Sequence, residues 1–341
     1  MTQISTLTLP QPYLLFLGDV AEAPFAKTAF GLRDWAPNLC VGEFALDGCA
    51  ISTGLPRLSP QEAHDRGAKS IVVGVAPRGG RMAEAWIPAL VQALGAGLDV
   101  ISGMHGHLED TPELAAAAAR LGRQLIDVRK SPTKLPVGSG RKRTGRRLLT
   151  VGTDCALGKK YTALKIASAF RSRGVDADFR ATGQTGILIA GGGIAIDAVI
   201  VDFAAGAAEL ISPDANEQHW DVIEGQGAIL HPSYGGVSLA LLHGSQPDVI
   251  VVCHQPGRAT LLGLADFAVP SIEDTIALNL DLARRTNPAV RCAGISLNTD
   301  GLTNEDADAV LAQEAARIGL PCADPMRGGA AFEDLIESCL V

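Results

Sequence analysis

The stretch Leu148-Leu-Thr-Val-Gly152-Thr-Asp-Cys-Ala-Leu-Gly158-Lys159-Lys-Tyr-Thr162 decides the fold of this 341-residue chain. It reads as an apolar strand, then a loop bounded by two glycines, then the opening of an amphipathic helix. That order is what a phosphate cradle requires: close backbone approach, amide N–H groups pointing inward and a helix N-terminus aimed at the anion. Lys159 adds a mobile positive charge for phosphate oxygens. The candidate cofactor-binding set is therefore Gly152, Thr153, Asp154, Cys155, Ala156, Leu157, Gly158, Lys159, Lys160 and Tyr161. Two departures matter. Five residues rather than four separate Gly152 from Gly158, and Lys160 fills the slot where a Ser or Thr hydroxyl usually holds Mg²⁺. Thr162 follows two residues later, on another face of the first turn. Such a loop is fit to hold a diphosphate and less obviously fit to cleave one.

Working outward, short aliphatic runs alternate with helical stretches along the whole chain, the pattern of parallel sheets wrapped by helices. Upstream, Tyr13–Leu17, Ser70–Val75, Asp99–Ile101 and Gln124–Val128 read as strands. Met82–Leu94 and Pro112–Leu121 read as helices between them, with Thr111–Pro112 an N-cap and first-turn pair. Downstream, strands are expected at Arg147–Val151, Asp176–Arg180, Ala195–Asp202, Asp221–Glu224, Asp248–Cys253, Val290–Leu297 and Pro321–Ala323. Helices are expected over Lys160–Ser172, Ser238–Gly244, Ile272–Arg285 and Glu305–Ile318. Between residues 129 and 147 lie eight basic residues, no acid, and breakers at Pro132, Pro136, Gly138, Gly140 and Gly145. The chain thus divides into a first doubly wound domain (1–128), a basic linker (129–146) and a second domain (147–341). The linker reads as a solvated connector, or as a stretch that helps hold a polyanion.

Composition narrows the function classes. With 29 Lys+Arg against 37 Asp+Glu, the net charge of −8 argues against a broadly basic nucleic-acid binder. A hydrophobic share of 47% supports large cores. The 7 cysteines are odd in number and scattered, with no CxxC pair, so neither a disulfide framework nor a zinc ribbon is supported. No signal peptide and no apolar run long enough for a membrane span are evident, so a cytoplasmic enzyme without membrane partners is expected. His105 and His107 alternate faces in an extended segment without an obvious third ligand, so no metal site is assigned.

The Gly-Thr-Asp-x-x-x-Gly-Lys form resembles dethiobiotin synthetase and its phosphate-loop relatives. The likeness extends to Val222-Ile-Glu224-Gly-Gln-Gly227 and to Gly294-Ile-Ser-Leu-Asn298. By that resemblance Glu224 faces the phosphates or a cation and Asn298 reads the adenine. Further segments match a narrower family over nearly the whole chain: Gly74-Val-Ala-Pro-Arg-Gly-Gly80, Gly97-Leu-Asp-Val-Ile-Ser-Gly-Met-His105, Asp202-Phe-Ala-Ala-Gly-Ala-Ala-Glu209, Glu224-Gly-Gln-Gly-Ala-Ile-Leu-His231-Pro and His254-Gln-Pro-Gly-Arg258. On these motifs the chain is identified as a member of the D-glutamate N-acetyltransferase family, long filed as a domain of unknown function. The resemblance implies an α/β fold of two doubly wound domains, a Rossmann-like N-terminal one and a P-loop NTPase-like C-terminal one with a mainly parallel sheet. It also implies acetyl-CoA as cofactor and D-glutamate as substrate.

The chemistry is consistent with that implication. Coenzyme A carries a diphosphate that such a loop can anchor without hydrolysing anything. Transfer to an amine then needs a base, donors for the tetrahedral oxyanion and cations for the substrate carboxylates. His231, His254 and Glu224, at or just beyond strand ends, are the candidate catalytic groups. Arg258 and Arg180 are candidate carboxylate ligands, and Gln184, in Thr182-Gly-Gln-Thr-Gly186, together with Asp202 completes the candidate substrate set. Arg78 and Gly79–Gly80 are either a turn or a closure over the ligand. Cys155 could carry an acyl group only with a base beside it. Two other readings stay open: an ATP- and Mg²⁺-dependent ligase or kinase, and a nucleotide-sensing module without turnover. A homo-oligomer is expected from the high hydrophobicity.

Overall fold

The computed structural model describes residues 7–75, 82–132 and 134–341. They form two compact units. One comprises residues 7–132 and 184–195, the other residues 134–183 and 196–341. The segment 184–195, which a sequence division at residue 147 leaves in the second domain, packs with the first unit. Arg78, Gly79 and Gly80 lie outside the described residues.

The first unit is a five-stranded sheet of β1 (Tyr13–Gly18), β2 (Cys40–Ala45), β3 (Ser70–Val73), β4 (Asp99–Ser102) and β5 (Leu125–Asp127). Every pairing is parallel, in the order β2-β1-β3-β4-β5. This is a doubly wound, Rossmann-like arrangement. Strand β1, paired on both edges, is apolar because both faces are covered, and Tyr13 through Leu17 have no accessible surface. Pro112–Leu121 is a helix as its sequence predicts, with Pro at the first position and left-handed Gly122 ending it, although the Thr111 hydroxyl makes no cap bond. The expected helix Met82–Leu94 begins later, as a 3₁₀ turn Glu84–Trp86 running into Ile87–Gly95. Strand β2 escaped sequence reading. It contains buried Glu43, whose carboxylate accepts from the Thr53 amide (2.6 Å) and the Ser52 hydroxyl (2.7 Å) and pairs with Arg57.

The second unit is a six-stranded sheet of β6 (Arg146–Gly152), β7 (Ala177–Arg180), β8 (Trp220–Ile223), β9 (Val249–His254), β10 (Arg291–Leu297) and β11 (Cys322–Ala323). All pairings are parallel, in the order β11-β10-β9-β6-β8-β7. From β6 the chain builds first toward β8 and β7, then on the other side through β9, β10 and β11. The sheet therefore reverses direction beside β6, and ligands of open α/β sheets bind outside the carboxyl ends of strands at such a point. The core packs the helix residues Ile166, Phe170, Leu335 and Ile336 against Leu148, Val222 and Val251 of the sheet.

One strand expectation needs correction. Ala195–Asp202 is not a strand. It holds a 3₁₀ turn at Ile196–Ala198 and the start of a helix, Val201–Ile211. The small residues of that helix serve close approach: a Cβ on Gly206 would lie 2.0 Å from the Pro136 carbonyl, and one on Gly244 of the helix Gly235–Ser245 would lie 2.2 Å from the Ala205 carbonyl. The basic stretch is exposed along most of its length but anchored at its end. Arg143 is buried and donates to Ser212 O (2.6 Å), Ser212 Oγ (2.9 Å), Gly244 O (2.9 Å) and Gln246 Oε1 (2.9 Å). Arg147, with no exposed surface, donates to the Arg143, Thr144 and Pro213 carbonyls. These guanidiniums fasten the amino-terminal end of the sheet. No helix among the described residues is long and apolar enough to cross a membrane.

At the same end His219 sits between carboxylates, with Nδ1 2.9 Å from Asp176 Oδ2 and Nε2 3.2 Å from Asp221 Oδ1. Burial works to lower its pKa, but the two carboxylates outweigh it and the net shift is upward. A raised folded-state pKa stabilises the fold fully below the unfolded value, about 6.5, and the contribution disappears as pH rises through the folded value. Urea titrations should therefore show a larger stability gap between wild type and His219→Gln at pH 5.5 than at pH 8.5. A gap independent of pH would show that His219 is not charged in the fold.

Candidate functional site

The loop from Gly152 to Gly158 leaves the carboxyl end of β6 and enters the helix Lys159–Ser172. The turn requires left-handed backbone at Ala156 (φ 53°) and Gly158 (φ 99°). No side chain caps this helix, so its first-turn amides are turned to the hollow of the loop. Lys159 is buried, and its Nζ donates to the Asp154 carbonyl at 2.7 Å. Burial pushes its pKa down. Beneath the loop, Thr150 Oγ1 accepts from the Gly225 amide (2.9 Å) and donates to the Lys159 carbonyl (3.2 Å). This couples the loop to the end of β8. Thr162 does not substitute for the missing metal-binding hydroxyl: it is buried, sharing a hydrogen bond with Ser296 Oγ at 2.7 Å. Lys160, in the usual hydroxyl position, has its ammonium 4.3 Å from the Tyr161 ring centre.

Asp154 braces the loop from the side. Its Oδ1 accepts from the Cys155 amide (2.6 Å), while Oδ2 accepts from Arg258 Nη1 (2.8 Å) and the Leu262 amide (2.8 Å). Burial works to raise its pKa, but these donors outweigh burial and lower it. Arg258 also donates to the Cys155 carbonyl at 2.8 Å and to Gln255 Oε1. His254, the last residue of β9, shares a hydrogen bond through Nδ1 with Thr153 Oγ1 at 2.9 Å, and burial lowers its pKa.

His231 is buried beside this brace, its ring against Tyr234 with centroids 4.7 Å apart. The Ser233 amide donates to His231 Nδ1 at 3.1 Å. The ring hydrogen is therefore on Nε2, which has no hydrogen-bond partner and lies 3.9 Å from Asp154 Oδ1. Asp154, Cys155 and His231 bring their polar atoms within 4.8 Å of one another. A metal would need a lone pair at Nε2, which this tautomer does not offer. The same tautomer makes Nε2 a donor rather than a proton acceptor, and burial pushes the Cys155 thiol pKa up. The cluster suits a ligand oxygen.

Glu224 follows β8 and is buried. Its Oε2 accepts from the Thr182 and Gly183 amides, each at 3.0 Å. Burial nonetheless raises its pKa. On the other flank of the loop a cavity of about 420 Å³ opens between Leu157, Tyr161, Asn298, Asp300 and Asp324–Arg327. Asn298 Oδ1 accepts from the Asp300 amide at 3.0 Å, which leaves its Nδ2 hydrogens as the donors toward the cavity.

Known proteins match both halves of this architecture. Residues 136–334 match the P-loop domain of DUF1611, a domain of unknown function, and residues 40–131 match its Rossmann-like domain. The chain belongs to the DUF1611 family. A DUF1611 protein from Anabaena variabilis has the same fold over both chains, with TM-score 0.84, 32% identity and coverage of 97% of this chain and 99% of that one. A D-glutamate N-acetyltransferase of Tritonibacter scottomollicae is 50% identical over 94% of this chain and 96% of its own length. One from a Pseudoalteromonas species is 47% identical over 95% and 97% respectively. Kinship this close over nearly the full length places the chain among the N-acetyltransferases.

Among the family's second-domain motifs, the fold brings Gly152–Tyr161, Glu224, His231, His254, Arg258 and Asn298 to the carboxyl end of one sheet. The other residues chosen from sequence are engaged elsewhere or sit in other settings, although the Arg180 carbonyl accepts from the Glu224 amide at 3.0 Å. Arg180 pairs with Asp221 (2.5 Å) and Asp178 (3.0 Å). Asp202 is exposed in the first turn of the helix Val201–Ile211, and Gln184 opens a helix of the first unit. Sequence reading missed the Asp324–Arg327 wall of the cavity. Its signal was positional: these residues directly follow the last parallel strand.

Gly225 tests the coupling beneath the loop. A Cβ there would lie 1.6 Å from the Thr150 carbonyl, whereas one on Gly236 would meet nothing within 4 Å. Gly225→Ala should cost about 3 kcal/mol or more in a urea melt and weaken polyphosphate binding. Gly236→Ala should leave both close to wild type.

Proposed function

We propose that this protein is a D-glutamate N-acetyltransferase that takes its acetyl group from acetyl-CoA, with the P-loop anchoring the CoA diphosphate. The observation that carries the reading is the identity of about half of all positions, along almost the whole chain, with two proteins of that name. The loop chemistry supports it: a lysine stands in the metal-hydroxyl slot and Thr162 is tied to Ser296. This loop is equipped to grip a diphosphate rather than to split one.

In this reading the first-turn amides, Lys159 and Lys160 hold the diphosphate, and the Asn298 carboxamide donates to the adenine edge. Acetyl-CoA supplies a thioester carbonyl activated toward amines. The substrate ammonium must first lose a proton, and Glu224 is suited to take it: burial raises its pKa, which makes it the stronger base, while two amides fix one carboxylate oxygen. The amine nitrogen then bonds to the carbonyl carbon, the carbon–sulfur bond breaks, and the proton that the nitrogen sheds on becoming an amide goes to the departing thiolate, which leaves as CoA. His231 Nε2–H and the loop donors stabilise ligand oxygens, the part its tautomer allows. Arg258 acts on the loop through Asp154 and Cys155. His254, kept neutral by burial, is the alternative proton acceptor.

Purified protein given acetyl-CoA and D-glutamate should release free thiol and form N-acetyl-D-glutamate, with L-glutamate the poorer substrate, and EDTA should not slow it. Glu224→Gln should lower kcat by about 10²–10⁴-fold with KM for acetyl-CoA little changed. Absence of thiol release with either enantiomer, or Mg²⁺-dependent ADP formation from ATP instead, would sink the proposal in favour of a ligase or kinase.

A further inference from the structure

The cavity beside the loop contains a charge that neither the diphosphate nor the adenine requires. Arg327 is the only cation among its described lining residues, where Asp300 and Asp324 supply the acids. Its guanidinium is held from several sides by neutral acceptors. Nε donates to Thr299 Oγ1 (2.6 Å), Nη2 to the carbonyls of Thr299 (3.1 Å) and Leu302 (2.8 Å), and Nη1 to Asn304 Oδ1. The nearest carboxylate, Asp324, is 3.9 Å away. Asp324 is already engaged: Oδ2 accepts from the Thr299 amide (3.0 Å) and hydroxyl (2.6 Å), and Oδ1 from the Met326 amide (2.8 Å). The guanidinium is thus oriented by dipoles that do not cancel its charge, and 28% of its side chain is accessible. A preoriented, weakly neutralised guanidinium is the residue type that recognises phosphate.

The ribose that would join a diphosphate in the loop to a purine against Asn298, which also lines this cavity, has a 3′ position that can be phosphorylated. Coenzyme A has a phosphate there, and ADP and ATP do not. We propose that Arg327 receives the 3′-phosphate, so that the cavity selects 3′-phosphorylated adenosine diphosphates over ordinary adenine nucleotides. This assignment rests on the reading that the loop anchors CoA. Asp300 and Asp324 make the cavity poor at attracting an additional phosphate without Arg327, so the discrimination should depend on this one side chain.

Calorimetric titration of CoA and of 3′-dephospho-CoA into the full-length protein separates the possibilities. Wild type should bind CoA roughly ten- to a hundredfold more tightly than the dephospho form, the range of one charge-assisted contact. Arg327→Gln should abolish that preference while leaving affinity for dephospho-CoA near the wild-type value. Arg327→Lys should keep part of it, since the charge stays while the bonds that orient it toward the cavity are lost. Equal wild-type affinities for the two ligands, or an Arg327→Gln variant weakened equally toward both, would overturn the assignment while the anchoring role of the loop stood. If neither ligand binds wild type, the assignment and the reading beneath it fall together.

Discussion

The site depends on the Asp154 carboxylate. A loop that reverses from strand to helix through two left-handed residues needs ties beyond its own backbone, and here they converge on one buried acid within it, bound from two directions. The Cys155 amide fixes it to its own loop, and Arg258 with the Leu262 amide fixes it to the segment that follows β9. Burial alone would favour the neutral acid. The three donors reverse that balance, so the ionised form and the loop geometry sustain each other. Breaking any one donor leaves a buried charge under-satisfied, which is more expensive than the loss of a surface contact.

That brace sets the electrostatic character of everything around it. With Asp154 matched to Arg258, the loop brings Lys159 and Lys160 to the same end of the sheet as the Glu224 carboxylate. Lys159 donates to a loop carbonyl, a contact that an anion can replace without disturbing the backbone. His231 contributes a second kind of donor, neutral and fixed by the Ser233 amide.

How much of this was legible beforehand follows from what each feature depends on. The strand, loop and helix at 148–172 are local: glycine spacing, an apolar run and a helical period specify them with little help from the rest of the chain. The parallel strands were legible because burial on both faces leaves unbroken aliphatic runs. The misread segment Ala195–Asp202 is also apolar, but its length could not distinguish a strand from a buried helix. The deciding fact is glycine-to-backbone approach at Gly206 and Gly244, which involves residues far apart in sequence. The anchoring of Arg143 was hidden for the same reason, since only the fold supplies Ser212, Gly244 and Gln246 to receive it. Strand β2 was invisible because a buried glutamate interrupts its pattern. No sequence rule gives the tautomer of His231, because it depends on where one amide two residues later points.

The division of labour in the proposed reaction follows from where the binding energy acts. Contacts to a diphosphate are the same before and during acyl transfer, so they favour substrate and transition state equally and cannot by themselves raise kcat. What they provide is localisation: a thioester on a long flexible arm is kept near the amine instead of searching the solvent. A P-loop freed from phosphoryl transfer loses nothing in that role. The metal-binding hydroxyl can be replaced by Lys160, and Thr162 can face Ser296, because no bond between phosphates has to be strained. The demanding geometry then moves to the group that takes the amine proton and to the donors that meet the oxyanion. Glu224 carries that signature here: a carboxylate whose burial works against its charge while two backbone amides hold it in one orientation.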